Sequence, residues 1–203
     1  MLKDIRIHLD PDEKKQSELE KKLAERVTQN YRRNFGAFKA YVPNIVDKIV
    51  QAATLDISIF TNRNGELNIV NYSNGRTFYD LSPEKEVQAQ YVEKLLHCTY
   101  CDLDRNVSYN SNDEHYLPIY DRYLSQPPLK KDINLLVVMG VGLGFHIRTL
   151  VENHNIKHLV IYEPEEQYFF ASLYTSNWKV ILETAKSKGT ALYFQLNNLL
   201  NLK

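Results

Sequence analysis

The chain has 203 residues, 43% of them hydrophobic and 11% aromatic, which is enough material for a packed core. Lys+Arg and Asp+Glu number 25 each, so the net charge is zero and the basic excess that marks nucleic-acid binders is missing. No apolar run approaches the roughly 20 residues of a membrane span. The opening MLKDIRIHLDPDEKK lacks the apolar centre of a signal peptide, and Cys98 and Cys101 are too few for a disulfide framework, so a cytoplasmic protein is expected.

The first element is predicted at Asp10-Pro11-Asp12-Glu13. Asp10 suits a helix cap, Pro11 the first helical position and Glu13 a capping box. Leu19, Leu23, Val27 and Tyr31 then recur every four residues among Lys, Glu, Arg and Gln. That pattern predicts an amphipathic helix to about Asn34 with one narrow apolar stripe. Pro43 opens a shorter helix whose buried side is expected to hold Ile45, Val46, Ile49 and Val50. From Asp56 the period changes to two. Asp56 to Phe60, Leu67 to Tyr72 and Thr77 to Tyr79 read as strands, separated by turns at Asn62-Arg63-Asn64-Gly65 and Ser73-Asn74-Gly75-Arg76. Ser82-Pro83-Glu84 starts another helix, with Val87, Tyr91, Val92, Leu95 and Leu96 on its apolar face. Residues 1–97 therefore read as a small α+β subdomain of helices and an antiparallel meander, without a catalytic constellation.

Residues 98–131 read as a linker rich in tyrosine, with a short helix at Tyr116 to Leu124. His97, Cys98 and Cys101 form half of a metal or redox motif. A structural zinc needs four ligands and no second cysteine pair exists, so ordinary thiols are expected and no metal.

The stretch from Ile133 to Glu163 carries the strongest pattern. An apolar run, Leu135 to Met139, leads into Gly140, Gly142 and Gly144; an amphipathic segment, Phe145 to Asn153, follows; a second apolar run, His158 to Tyr162, ends on Glu163. Strand, glycine turn, helix, strand and acid make half of a Rossmann-type unit. A parallel strand covered on both faces reads as a continuous apolar run. The glycines allow tight turns and close approach, and the helix start presents N–H groups to an anion. Glu163 can accept hydrogen bonds from a ribose diol, and His146 can donate to a phosphate or carboxylate. Gly140, Gly142, Gly144, His146 and Glu163 are thus the candidate nucleotide-binding residues, with tyrosines of 109–123 as further lining. The spacing Gly-x-Gly-x-Gly is closer to S-adenosylmethionine-dependent methyltransferases than to an NAD fingerprint. The alternative is a Rossmann-like half whose glycines serve only packing.

Glu165 to Tyr174 is predicted as a helix with Phe169, Phe170 and Leu173 inward. Asn177-Trp178 begins another to Lys188, capped by Gly189, and Ala191 to Phe194 is a third parallel strand. The expected fold class is α/β: the α+β subdomain, then a partial parallel βαβαβ unit over 132–203. Three parallel strands are fewer than a doubly wound sheet usually carries, so a longer parent protein is expected.

The run VVMGVGLGFHIRTLVENHNIKHLVIYEPEEQYFFASLYTSNW resembles the N-terminal domain of the motility accessory factors, the Maf proteins of bacteria with glycosylated flagella. The likeness rests on the glycine turn with its aromatic and His (Gly140 to His146), on Glu163-Pro164 and on Asn177-Trp178. The turn Asn62 to Gly65 and Phe78-Tyr79 fit as well, so it spans about residues 30–200. The resemblance implies a role in flagellar assembly and motility. Such proteins transfer nonulosonic acids (pseudaminic or legionaminic acid) from the CMP-activated form to Ser/Thr of flagellin. Their active site lies in a separate central domain, so no catalytic residue is carried over. Flagellin and a nucleotide-activated sugar are the implied partners; the cofactor stays unassigned between a nucleotide or nucleotide-sugar and S-adenosylmethionine. Two other readings stay open: a methyltransferase-like or nucleotide-binding enzyme using the glycine turn, and a scaffold that forms homo-oligomers through the helix at 12–34.

Overall fold

The computed structural model describes residues 3–51, 56–96 and 129–196. The motif at 97–101, the linker helix at 116–124, the tyrosines of 109–123 and the last seven residues lie outside the described residues.

The chain starts with a short helix α1 (Lys3–His8) and a 29-residue helix α2 (Glu13–Tyr41). The cap of α2 is Asp12, not Asp10. Its carboxylate accepts the backbone N–H of Lys14 at 2.9 Å and of Lys15 at 3.4 Å. Asp10 is engaged elsewhere: it accepts the Asp12 N–H and pairs with the Lys15 ammonium. The helix also runs a full two turns beyond Asn34, through Gly36, although glycine inside a helix costs about 1 kcal/mol. Tertiary contacts offset that cost. Asn34, fully buried, donates to the carbonyls of Leu173 and Ser176, both at 2.7 Å, and accepts the Lys179 N–H. Phe38, also fully buried, sits 5.4 Å from Trp178, 5.7 Å from Phe169 and 5.6 Å from Phe194, ring centre to ring centre. A 3-10 turn (Pro43–Ile45) and α3 (Val46–Val50) follow. Ile45 and Ile49 point inward as expected, while Val50 is exposed.

The meander is present. Strands β1 (Ile57–Thr61), β2 (Leu67–Asn71) and β3 (Arg76–Thr77) pair antiparallel in that order. The third strand stops two residues early. At Tyr79 the buried Asn68 side chain takes the place of a strand partner: it accepts the Tyr79 N–H at 3.1 Å and donates to the Tyr79 carbonyl at 2.8 Å. Helix α4 (Pro83–Leu96) packs Val87 inward and leaves Val92 exposed.

The second sheet is parallel, in the order β4 (Asp132–Met139), β5 (Asn155–Glu163), β6 (Ala191–Leu196). Helix α5 (Phe145–Asn153) links the first two strands; α6 (Glu166–Thr175) and α7 (Trp178–Ser187) link the second two. The fold is therefore the mixed α/β class expected, with an antiparallel and a parallel sheet. The register stacks Leu136, Leu159 and Leu192, and next to them Val138, Ile161 and Phe194, on the face that the helices cover. The opposite face is different. Among the described residues nothing covers Leu135, Val137, Met139 and Tyr193, which are 48%, 50%, 77% and 51% exposed. The continuous apolar run of β4 thus has a covered side and an open side.

Helix α2 joins the two parts. Its start donates from Gln16 to the Thr61 carbonyl on β1, and its end packs into the parallel half through Asn34 and Phe38. Leu143, from the glycine turn, and Ala171, from α6, belong to the core cluster of the meander.

Candidate functional site

The glycine turn has the backbone the sequence requires. Gly140, Gly142 and Gly144 have φ values of 89°, 51° and 79°, a region that L side chains avoid. The two later glycines also face close neighbours. A Cβ on Gly142 would strike the Tyr79 hydroxyl and lie 3.2 Å from Phe78; one on Gly144 would lie 2.8 Å from the Ser176 hydroxyl. Gly140 has open space around its Cα.

The structure brings all five candidate residues together, but it directs their polar groups at one another. Glu163 is 3% exposed, and its carboxylate folds back under the turn. One oxygen accepts the Val141 N–H at 2.7 Å, and the other accepts the Glu165 N–H at 3.0 Å. The Gly142 N–H also points at this carboxylate. Burial holds the Glu163 carboxyl above the ordinary glutamate range, against the pull of those N–H groups. His146 sits in the first turn of α5 with its Nε2 3.2 Å from the Gly140 carbonyl. An imidazole can only donate to a carbonyl, so Nε2 carries a proton there. Burial lowers the pKa of this histidine, which favours the neutral ring.

The remaining turn amides are also engaged. Gly140 N–H donates to the Tyr162 carbonyl and Gly144 N–H to the Val141 carbonyl, each at 2.8 Å. Leu143 N–H donates to the Tyr79 hydroxyl at 3.2 Å. Tyr79 reaches the turn from the meander, is 5% exposed, and is held by Asn68 at its own backbone. A phenol oxygen thus stands where a ligand oxygen would meet a helix start. Glu163 supplies a carboxylate there.

Sequence reasoning missed Tyr79 as part of this site, and Asn68 as the residue that positions it. The signal was an asparagine inside an alternating strand, a residue disfavoured there unless its amide is used. Cysteine and the tyrosines of 109–123 cannot be placed against the turn, since they lie outside the described residues. Among the described residues no cluster of His, Cys, Asp and Glu could hold a metal ion. Nor is any described helix long and apolar enough to cross a membrane.

Comparison with known proteins adds a family. A family model described as the glycosyltransferase Maf N-terminal domain matches residues 30–199. A solved structure of a MAf glycosyltransferase from Magnetospirillum magneticum AMB-1 has the same fold, at a TM-score of 0.59 and 20% identity. The alignment covers 84% of this chain and 28% of that one, so the chain spans little more than a quarter of that protein's length. No curated protein sequence matches.

Proposed function

The chain belongs to the Maf glycosyltransferase N-terminal domain family, and from that premise we propose that it is the non-catalytic N-terminal domain of a cytoplasmic transferase that modifies flagellin Ser/Thr with pseudaminic or legionaminic acid. In this reading the transfer chemistry belongs to a further domain of the parent protein, and this domain contributes to flagellin recognition and assembly of the enzyme.

One observation carries the non-catalytic reading. The amides of the glycine turn already have acceptors from the chain itself, Glu163 and Tyr79 above all. A nucleotide phosphate or the cofactor's carboxylate at this turn would have to displace a buried phenol and a buried carboxylate. An unmade buried hydrogen bond costs about 1–3 kcal/mol, so such a ligand starts at a disadvantage. The turn therefore acts as a clamp. Gly142 and Gly144 let the meander and α6 approach the parallel half, and Tyr79 and Glu163 satisfy the backbone this exposes.

The experiment is a calorimetric titration of the chain with S-adenosylmethionine, CMP and a CMP-activated nonulosonic acid, together with a transfer assay on flagellin. The expected result is no transfer and no binding of S-adenosylmethionine. Binding of S-adenosylmethionine that is lost in Glu163→Ala would instead establish the nucleotide-binding reading at Gly140, Gly142, Gly144, His146 and Glu163.

A further inference from the structure

The parallel sheet is finished on one side only. Its two connections, β4 to β5 through α5 and β5 to β6 through α6 and α7, step the same way across the sheet. Right-handed crossovers that step the same way put their helices on one face. That face packs Val138, Leu159 and Ile161 into the core. The other face exposes Leu135, Val137, Met139 and Tyr193, whereas parallel sheets are as a rule covered on both faces.

The strand β4 also stands at an edge. Among the described residues it pairs with β5 alone. Its composition is that of an interior strand, since Leu135 to Met139 is apolar without interruption. It lacks the devices that protect natural edges: it is eight residues long, and from Ile133 to Met139 it holds neither proline nor a charged side chain.

The glycine turn marks the place of β4 in a larger order. In a doubly wound sheet of order 3-2-1-4-5-6 the glycine-rich turn follows strand 1, which lies between strands 2 and 4. Here that turn follows β4, and the row β6-β5-β4 reproduces 3-2-1. A fourth strand belongs against the free edge of β4. To reach it from β6 a chain must step back across the sheet, opposite to the first two connections. A right-handed connection in that direction carries its helix over the other face. That is the face on which Leu135, Val137, Met139 and Tyr193 are exposed. Three strands about 4.8 Å apart span roughly 10–14 Å, close to the width of one helix. One crossover thus accounts for the free edge and for the open face together. A second copy paired edge to edge leaves the face open.

We propose that β4 receives the second half of a doubly wound sheet from the part of the parent protein that follows this chain. An amphipathic helix lies over Leu135, Val137, Met139 and Tyr193, and the apolar strand after it pairs parallel to β4. This rests on the reading of the chain as the N-terminal part of a longer transferase. Most of the solved relative's length lies outside its matched part, which leaves room for such a half.

The test compares this chain with the full-length parent by hydroxyl-radical footprinting and amide hydrogen exchange. Side-chain oxidation reads the helix, and amide exchange reads the strand. In this chain Met139 oxidises readily and the β4 amides exchange as at an open edge. In the parent, Met139 oxidation falls tenfold or more and exchange along Leu135 to Met139 slows at least as much. Equal signals in the two proteins overturn the proposal, as does slowing of only one signal. Protection already complete in this chain alone overturns it by assigning the cover to the chain's own residues. Protection that grows with the concentration of this chain overturns it by assigning the cover to a second copy. None of these results bears on the non-catalytic reading, which fails only through transfer activity or through S-adenosylmethionine binding at Glu163.

Discussion

Two stretches of this chain sit next to each other in sequence and behave in opposite ways. The glycine turn, 140–144, has the sequence of a ligand cradle, and in the structure its amides are filled from within by Glu163 and Tyr79. The strand before it, β4, has the sequence of a strand buried on both faces. Yet Leu135, Val137 and Met139 face outward with nothing over them among the described residues. A sequence pattern fixes local geometry in both cases. It does not say what occupies the space that geometry creates. Positive φ at three glycines allows a ligand or a neighbouring side chain equally well, and an apolar strand face can be covered by a helix or await a partner.

Substitutions can break this comparison, beginning with the largest expected effect. Gly142→Val adds a Cβ in a left-handed conformation and against Tyr79 and Phe78. Strain and overpacking together should cost about 3 kcal/mol, read as a fall in the urea midpoint. Gly140→Ala, which has the same sign of φ but open space, should cost only about 1–2 kcal/mol. Equal losses at the two positions would mean that Tyr79 does not fill the turn.

Glu163→Ala should cost about 2 kcal/mol, because the Val141 and Glu165 N–H groups lose their acceptor in a buried place. Glu163 also gives the fold a pH dependence. Its pKa is raised in the folded state, so its favourable contribution is complete below the unfolded pKa and is lost as pH rises through the folded one. Glu163→Gln removes that loss. The stability of the variant relative to the parent should therefore rise with pH across that window, and a flat difference in thermal unfolding would contradict the burial of the carboxylate.

Tyr79→Phe deletes one hydrogen bond to Leu143 N–H and should cost about 1 kcal/mol. If the turn favours a ligand once the phenol oxygen is gone, this variant should gain S-adenosylmethionine or CMP binding; as a packing clamp it gains none. The smallest effect is expected on the open sheet face. Met139→Gln should change stability by no more than about 0.5 kcal/mol in this chain, as at other exposed positions. A loss of 2 kcal/mol or more on chemical denaturation would show that the face is covered.

Much of the architecture was legible in the residues. The four-residue stripe of α2, the two Asn and Gly turns of the meander and the run of apolar strand, glycines and amphipathic helix each encode their own local conformation. The starts of α6 and α7 were read within a residue, since Pro164 and Asn177 mark them. The misreadings share one cause, a side-chain partner or packing contact that the local pattern does not show. Asp12 caps α2 because Asp10 is occupied by Lys15. Helix α2 passes through Gly36 because Phe38 is seated among rings from 169 to 194. Strand β3 ends at Thr77 because Asn68 captures Tyr79.

For the candidate site the division is the same. The sequence by itself determined that residues 140–144 would turn tightly, that α5 would begin there and that an acid would stand at the end of β5, because φ preference, hydrophobic period and helix start signals act over a few residues. It also carried enough of the family pattern to imply the glycosyltransferase N-terminal domain. Only the tertiary structure decided that Tyr79, more than sixty residues away, would supply the turn's oxygen and that Glu163 would point inward. Those outcomes depend on how the meander is laid over the carboxyl ends of the strands by α2, and packing between elements so far apart in sequence leaves no local pattern to read.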